Sequence, residues 1–122
     1  MRLIPLREQI RKPVLVINDS PIKQFAENRH AVGQSVFESV GRFTNRMING
    51  RRVTVFGYGA CGKGVAACFR NGSAVLPVVD TNPVTTLEAH LDGFLTPLRE
   101  EALRGADIAE SRHRREGRDP CL

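Results

Sequence analysis

Tryptophan is missing from this 122-residue chain, tyrosine occurs once, at Tyr58, and aromatic residues make up only 6%. A surface that stacks successive nucleobases needs several aromatic side chains set among cations, so the composition argues against nucleic acid as a partner. The net charge of +5 does not reverse this, because it is concentrated at the ends. Residues 1–12 carry four basic and one acidic residue, residues 109–122 carry four arginines and three acids, and the long middle is left at +1. Charge placed that way marks solvated termini rather than a binding face. Cysteine is scarce as well: Cys61, Cys68 and Cys121 form an odd set without a CxxC pair. Neither a disulfide framework nor a zinc site is indicated, and a reducing, cytoplasmic setting is expected. No apolar run approaches the roughly 20 residues that cross a bilayer, and the first residues lack the apolar core of a signal peptide. No membrane partner is expected.

What remains suits a single globular domain. Apolar residues account for 41% and charged residues for 25%, enough to bury a core without staples. Residues 13–17 form a short apolar run that reads as a buried strand or extended segment, after which Ser20 and Pro21 are suited to cap and open a helix extending to about Arg29. A second helix is predicted from Ser35, which has capping-box spacing to Glu38, with Val36, Phe37, Val40, Phe43, Met47 and Ile48 recurring at helical intervals up to Gly50. The period then changes. Residues 53–56 are a β-branched run, 65–69 a helix, and 74–79 a second strand ending at Asp80. Further helices are predicted over 85–91 and from Pro97 to Arg104, with Phe94 and Leu95 as a third strand. After Ile108 the apolar content falls away, which predicts a disordered tail over 109–122.

Between the first strand and its helix stands Gly57-Tyr58-Gly59-Ala60-Cys61-Gly62, a G-x-G-x-x-G. Gly57 permits the tight turn, Gly59 lets the backbone approach a pyrophosphate, and Gly62 lets the helix close on the strand. The N–H groups opening the helix face the phosphates. Asp80, 18 residues after Gly62, ends the second strand, where a carboxylate accepts from the adenosine ribose hydroxyls; an acid there favours NAD over NADP. The stretch from Gly57 to Lys63 also fits the opening of a P-loop, but Gly64 stands where that motif needs a hydroxyl for magnesium. Cys61 is a small filler of the turn. The fold class is α/β, a partial Rossmann-like, doubly wound parallel sheet with N-terminal linking helices.

Taken together, residues 16–20, Lys23, residues 27–29, Gly33-Gln34-Ser35, Asn49-Gly50 and residues 57–64 resemble the S-adenosylhomocysteine hydrolases, and the likeness continues through residues 78–83 and 87–94. On that resemblance, residues 1–50 correspond to the end of the substrate domain and the hinge helices, 51–108 to an NAD-binding βαβ half, and 109–122 to a tail. The implied reaction is reversible hydrolysis of S-adenosylhomocysteine to adenosine and homocysteine, through oxidation of the 3′-hydroxyl with tightly held NAD, elimination, addition of water and reduction.

By motif position, the resemblance makes Lys23 the lysine at the ribose 3′-hydroxyl. It places Asn18 and Asn28 near the substrate and nicotinamide, and puts Glu27 where the family carries a substrate-binding aspartate. Gly57, Gly59, Ala60, Cys61, Gly62 and Asp80 take the cofactor. The chain departs from the family at Val32, at residues 71–74, at residues 79–82, and at Pro77, whose missing N–H a central strand tolerates poorly. The resemblance also implies further substrate- and nicotinamide-binding parts outside these residues, so the isolated chain is expected to be incomplete and inactive, with a homo-oligomer or a complementing chain supplying the rest. The alternative is a non-catalytic dinucleotide-binding module holding the adenosine half of NAD.

Overall fold

The computed structural model describes residues 8, 11–17 and 20–111. A continuous helical path opens it. Pro21 sits at the first position of α1 (Pro21–Lys23), where its missing N–H costs nothing, and Ser20 precedes it in extended conformation without a side-chain cap bond. The path continues as a π-helical segment, Gln24–Ala31, and then as α2 (Val32–Thr44). The two helices expected here are therefore one, and Ser35 lies inside α2 rather than capping it. The helix also stops earlier than expected. Asn45 adopts the left-handed conformation at φ 48° and closes α2, so Met47 and Ile48 lie beyond it and Gly50 serves a later turn.

The sheet is parallel, with β1 (Val53–Phe56) flanked by β2 (Val78–Val79) and β3 (Ile108–Ser111). α3 (Ala60–Asn71) joins β1 to β2; α4 (Pro83–Leu91) and α5 (Arg99–Arg104) lie between β2 and β3. Asn82 caps α4 by accepting from the Val84 N–H at 2.9 Å. The expected strand at Phe94 and Leu95 is a single bridge, Pro77 to Leu95, with the Val78 N–H donating to the Leu95 carbonyl. The third strand is β3, so residues 109–111 belong to the sheet and not to the expected tail; residues 112–122 lie outside the described residues. Asp107 explains the difference. Its carboxylate accepts the Arg52 N–H while its own N–H donates to the Arg52 carbonyl, both at 2.9 Å, which aligns β3 beside β1 despite its alternating polar residues.

Pro77 shortens β2 to two residues, because it supplies a carbonyl to the Val55 N–H but has no N–H to return. The spatial order is thus Leu95, β2, β1, β3. The chain winds outward from β1 on one side and then crosses back to the other.

Alternation along β1 assigns helices to both faces. Val53 and Val55 join Val65, Ala66, Phe69, Ala89 and Phe94 in the main core on the α3–α4 face. Thr54, fully buried, points the other way and donates to the Ala102 carbonyl of α5 at 3.1 Å. A sheet covered on both faces, reversing direction beside β1, is doubly wound.

The N-terminal helices pack on α3 backbone to backbone. A Cβ on Gly64 would lie 1.8 Å from the Arg29 carbonyl oxygen, and one on Gly33 would lie 2.4 Å from the Gly64 carbonyl oxygen. Phe37 of α2 meets Phe69 edge to face at 5.2 Å between ring centres. Phe43, expected on the buried face, is 86% exposed, and the apolar run at residues 13–17, expected as a buried strand or extended segment, forms no strand and leaves Val14, Leu15, Val16 and Ile17 exposed.

Candidate dinucleotide site

Gly57 leaves β1 at φ 96°, a left-handed conformation that a side chain would strain. Its carbonyl oxygen lies 1.9 Å from where a Gly62 Cβ would stand, so the turn closes only because Gly62 has no side chain. Gly59 differs: a Cβ there meets nothing within 4 Å. The turn therefore holds open space beside Gly59, as an approaching pyrophosphate requires. Gly59 is also the N-cap of α3 and offers no side-chain cap. The first N–H donors of the helix, at Ala60, Cys61 and Gly62, are left to an incoming anion. Cys61 is half-buried in that first turn. Burial raises the thiol pKa of Cys68, farther along α3.

Asp80 closes β2 beside this turn. One carboxylate oxygen accepts the Tyr58 N–H at 2.7 Å and the other accepts the Asn82 N–H at 2.8 Å. The acid is thereby fixed across the glycine turn, and each oxygen keeps a lone pair for a ribose hydroxyl. A cavity of about 470 Å³ opens at the carboxyl ends of the strands, lined by Phe56, Gly57, Asp80, Thr81, Leu103 and Ser111, among others. It lies where the winding reverses, the usual position for a nucleotide in such sheets, and its size is in the range of small-molecule pockets.

Tyr58 points away from this cavity into the core, 2% exposed, and donates to Asp92 Oδ2 at 2.7 Å. Burial, and then the Asp92 carboxylate it donates to, hold its hydroxyl well above the ordinary phenol range. Lys63 pairs with Glu88 of α4, and Arg70 lies 4.6 Å above the Phe94 ring while donating to the Asp92 carbonyl. These contacts fasten α3 to α4 from behind the glycine turn.

The second group of predicted residues is gathered by the π-helical segment. Five residues separate Lys23 from Asn28, and the wider helix brings them onto one side: Lys23 Nζ donates to Asn28 Oδ1 at 2.7 Å. Glu27 Oε2 stands 3.4 Å from the same ammonium, with Lys23 only 26% exposed against 63% for Glu27. Val32 donates its N–H to the Glu27 carbonyl five residues back, a register common at functional sites. Lys23, Glu27 and Asn28 are thus together, and Gly57, Gly59, Ala60, Cys61, Gly62 and Asp80 are together. Arg29, next to Asn28, touches α3 at Gly64. Asn18 lies outside the described residues.

Sequence reasoning missed the far wall of the cavity, formed by Arg99, Leu103, Ala109 and Ser111. The i, i+4 spacing of Arg99 and Leu103 was the available signal.

The fold recurs in solved structures. A dipicolinate synthase chain from Bacillus halodurans matches 91% of this chain and 39% of its own with a TM-score of 0.75 at 17% identity. A putative D-3-phosphoglycerate dehydrogenase from Ralstonia solanacearum matches 75% of this chain and 32% of its own at 0.53 and 21%. Sequence relatives are nearer. An adenosylhomocysteinase of Pyrococcus abyssi is 39% identical over 108 residues, and an S-inosyl-L-homocysteine hydrolase of Methanococcus maripaludis is 38% identical over 110. Each match covers 88% of this chain, and the chain spans 26% of each relative. The family model for the S-adenosyl-L-homocysteine hydrolase NAD-binding domain matches residues 28–111. The open glycine turn, the uncapped helix and the fixed Asp80 suit the cofactor named in that model, and the chain belongs to the S-adenosyl-L-homocysteine hydrolase family as its NAD-binding domain.

Proposed function

We propose that this chain serves an S-nucleosyl-homocysteine hydrolase, holding NAD at the glycine turn and handling the ribose 3′-hydroxyl of the substrate with Lys23. The observation that carries the reading is the Lys23–Asn28 pair on a helix docked directly against the phosphate-binding helix α3. When bound, NAD supplies hydride transfer to and from the substrate. Asn28 orients the Lys23 ammonium through its side-chain oxygen, and Glu27 holds a carboxylate beside it, one methylene longer than the aspartate of the family pattern. Lys23 exchanges the hydroxyl proton with the substrate, taking it as the alcohol is oxidised and returning it as the ketone is reduced. Asn18 joins this reading as a substrate contact. S-adenosylhomocysteine is the first substrate to test and S-inosylhomocysteine the second, since relatives are named for both.

The reading sets the protein in the cytoplasm. Among the described residues no helix is long and apolar enough to cross a membrane. It also calls for a homo-oligomer or a complementing chain. β3 is the last strand of the described sheet and offers its outer edge for pairing.

The test is calorimetric titration with NAD, followed by near-ultraviolet absorbance of reduced nicotinamide after adenosine is added. Lys23→Ala should keep NAD affinity and lose the absorbance change. NAD binding with no absorbance change in the parent chain, alone and with a complementing chain added, favours the alternative, a non-catalytic dinucleotide module. An absence of NAD binding refutes both.

A further inference from the structure

Arg99 is the cation of the nucleotide cavity, and neither the family comparison nor the glycine motif assigns it a task. It begins α5 and shares one face of that helix with Leu103, four residues on. Both residues line the same cavity as Thr81 and Asp80, and Arg99 is also open to solvent. Among the described residues Arg99 makes no hydrogen bond or ion pair. Asp80, the acid among the residues lining the cavity, does not neutralise it; its two oxygens are turned to the N–H groups of Tyr58 and Asn82. Thr81 and Ser111, two hydroxyl-bearing residues, line the same space. The cavity therefore combines the acid that receives a free ribose diol with a planar cation and two hydroxyl donors, the groups that receive a phosphate.

We propose that Arg99 makes this site tolerant of a 2′-phosphate, so that NADP is a second ligand of the cavity that takes NAD. The proposal rests on the reading that the cavity holds the adenosine half of a dinucleotide. An aspartate alone at the end of β2 repels a 2′-phosphate dianion. An unpaired guanidinium on the facing wall offsets that repulsion, and it does so through charge-assisted bonds that NAD cannot make.

The test is calorimetric titration of the full chain with four probes: NAD, NADP, adenosine 5′-monophosphate and adenosine 2′,5′-bisphosphate. In the parent chain NADP should bind within about tenfold of NAD. Arg99→Ala should widen the NADP-to-NAD ratio of dissociation constants by about tenfold or more while moving NAD itself by less than about threefold, equivalent to a loss of ~1.4 kcal/mol or more for the phosphorylated ligand alone. The two adenosine nucleotides should repeat the pattern, and Arg99→Lys should restore part of it through charge. A ratio that stays the same in Arg99→Ala overturns the proposal and leaves the NAD reading standing. Equal weakening of NAD and NADP also overturns it, and makes Arg99 a cap on the adenine ring. If neither NAD nor adenosine 5′-monophosphate binds, the underlying reading of the cavity fails, and this proposal with it.

Discussion

Two glycines five residues apart should respond oppositely to the same added methyl group. Gly59 has extended backbone (φ −74°, ψ −168°) that alanine adopts, and its Cβ would meet nothing within 4 Å. Gly59→Ala should fold as well as the parent, or gain up to about 1 kcal/mol through the narrower unfolded ensemble. It should still bind NAD at least about tenfold more weakly, because the methyl stands where the pyrophosphate must approach the backbone. Gly64 is helical, so alanine gains about 1 kcal/mol of propensity there. Its Cβ, however, would lie 1.8 Å from the Arg29 carbonyl oxygen, against a normal carbon–oxygen approach of about 3.3 Å. The obstacle is backbone and cannot rotate away. The π-helical segment must back off α3 by ~1.5 Å, which forfeits much of the dispersion contact between them. A net loss of about 2–4 kcal/mol follows, seen as a melting point lower by ~8–16 °C at roughly 4 °C per kcal/mol for a chain this size. Circular dichroism melts and calorimetry on both variants decide the matter. A Gly59→Ala variant that binds NAD normally, or a Gly64→Ala variant as stable as the parent, refutes this account of the turn.

Removing the Asp80 carboxylate, as in Asp80→Ala, should weaken NAD by about tenfold or more and also cost about 1–2 kcal/mol in urea unfolding, since the Tyr58 N–H loses its acceptor. Asn82→Ala should cost about 1 kcal/mol by uncapping α4, with the loss recovered in Asn82→Asp. Tyr58 gives a pH signature. Its pKa is raised in the fold above the ordinary value of 10.0, so its contribution is fully present below pH 10 and is lost as pH rises toward the folded value. The urea midpoint of the parent should therefore fall between pH 9.5 and 11 more steeply than that of Tyr58→Phe; matching slopes would show that the buried phenol carries no linked proton.

The βαβ unit was legible because each of its signals is local. A β-branched run, a glycine turn, an apolar helix and a closing Asp80 are decided by neighbours in sequence, and the structure keeps all of them. The errors fall where distant backbone decides. Gly33 marked no break in the helix; it is small because α3 crosses it at Gly64, and a close crossing leaves no trace in periodicity. Ser35 had capping spacing, but a helix already running from Pro21 needs no new start. β3 was hidden because Ala109, Glu110 and Ser111 lack strand composition. Their pairing is set by Asp107 clamping Arg52, 55 residues away. The Lys23–Asn28 contact was equally out of reach. In an ordinary α-helix residues five apart diverge, and only the π-helical register, held against α3, brings them together.

That register gives the second half of the glycine motif its purpose. Gly57 and Gly62 close the turn on each other, and Gly59 leaves room for a ligand. Gly64 faces neither turn nor ligand; it admits the carbonyl of Arg29, the residue after Asn28. A single turn of helix thus carries uncapped N–H groups on its leading edge and a seat for the Lys23 helix on its flank. If the nucleotide and the Lys23–Asn28 pair are to act on one sugar, their separation must not vary. A backbone-to-backbone contact is the shortest and stiffest link two helices can make, because no rotamer intervenes. The lysine between the last two glycines fits the same logic. Lys63 turns toward Glu88 and the back of Tyr58, tying α3 to α4 and leaving the ligand face of the turn to backbone N–H groups alone.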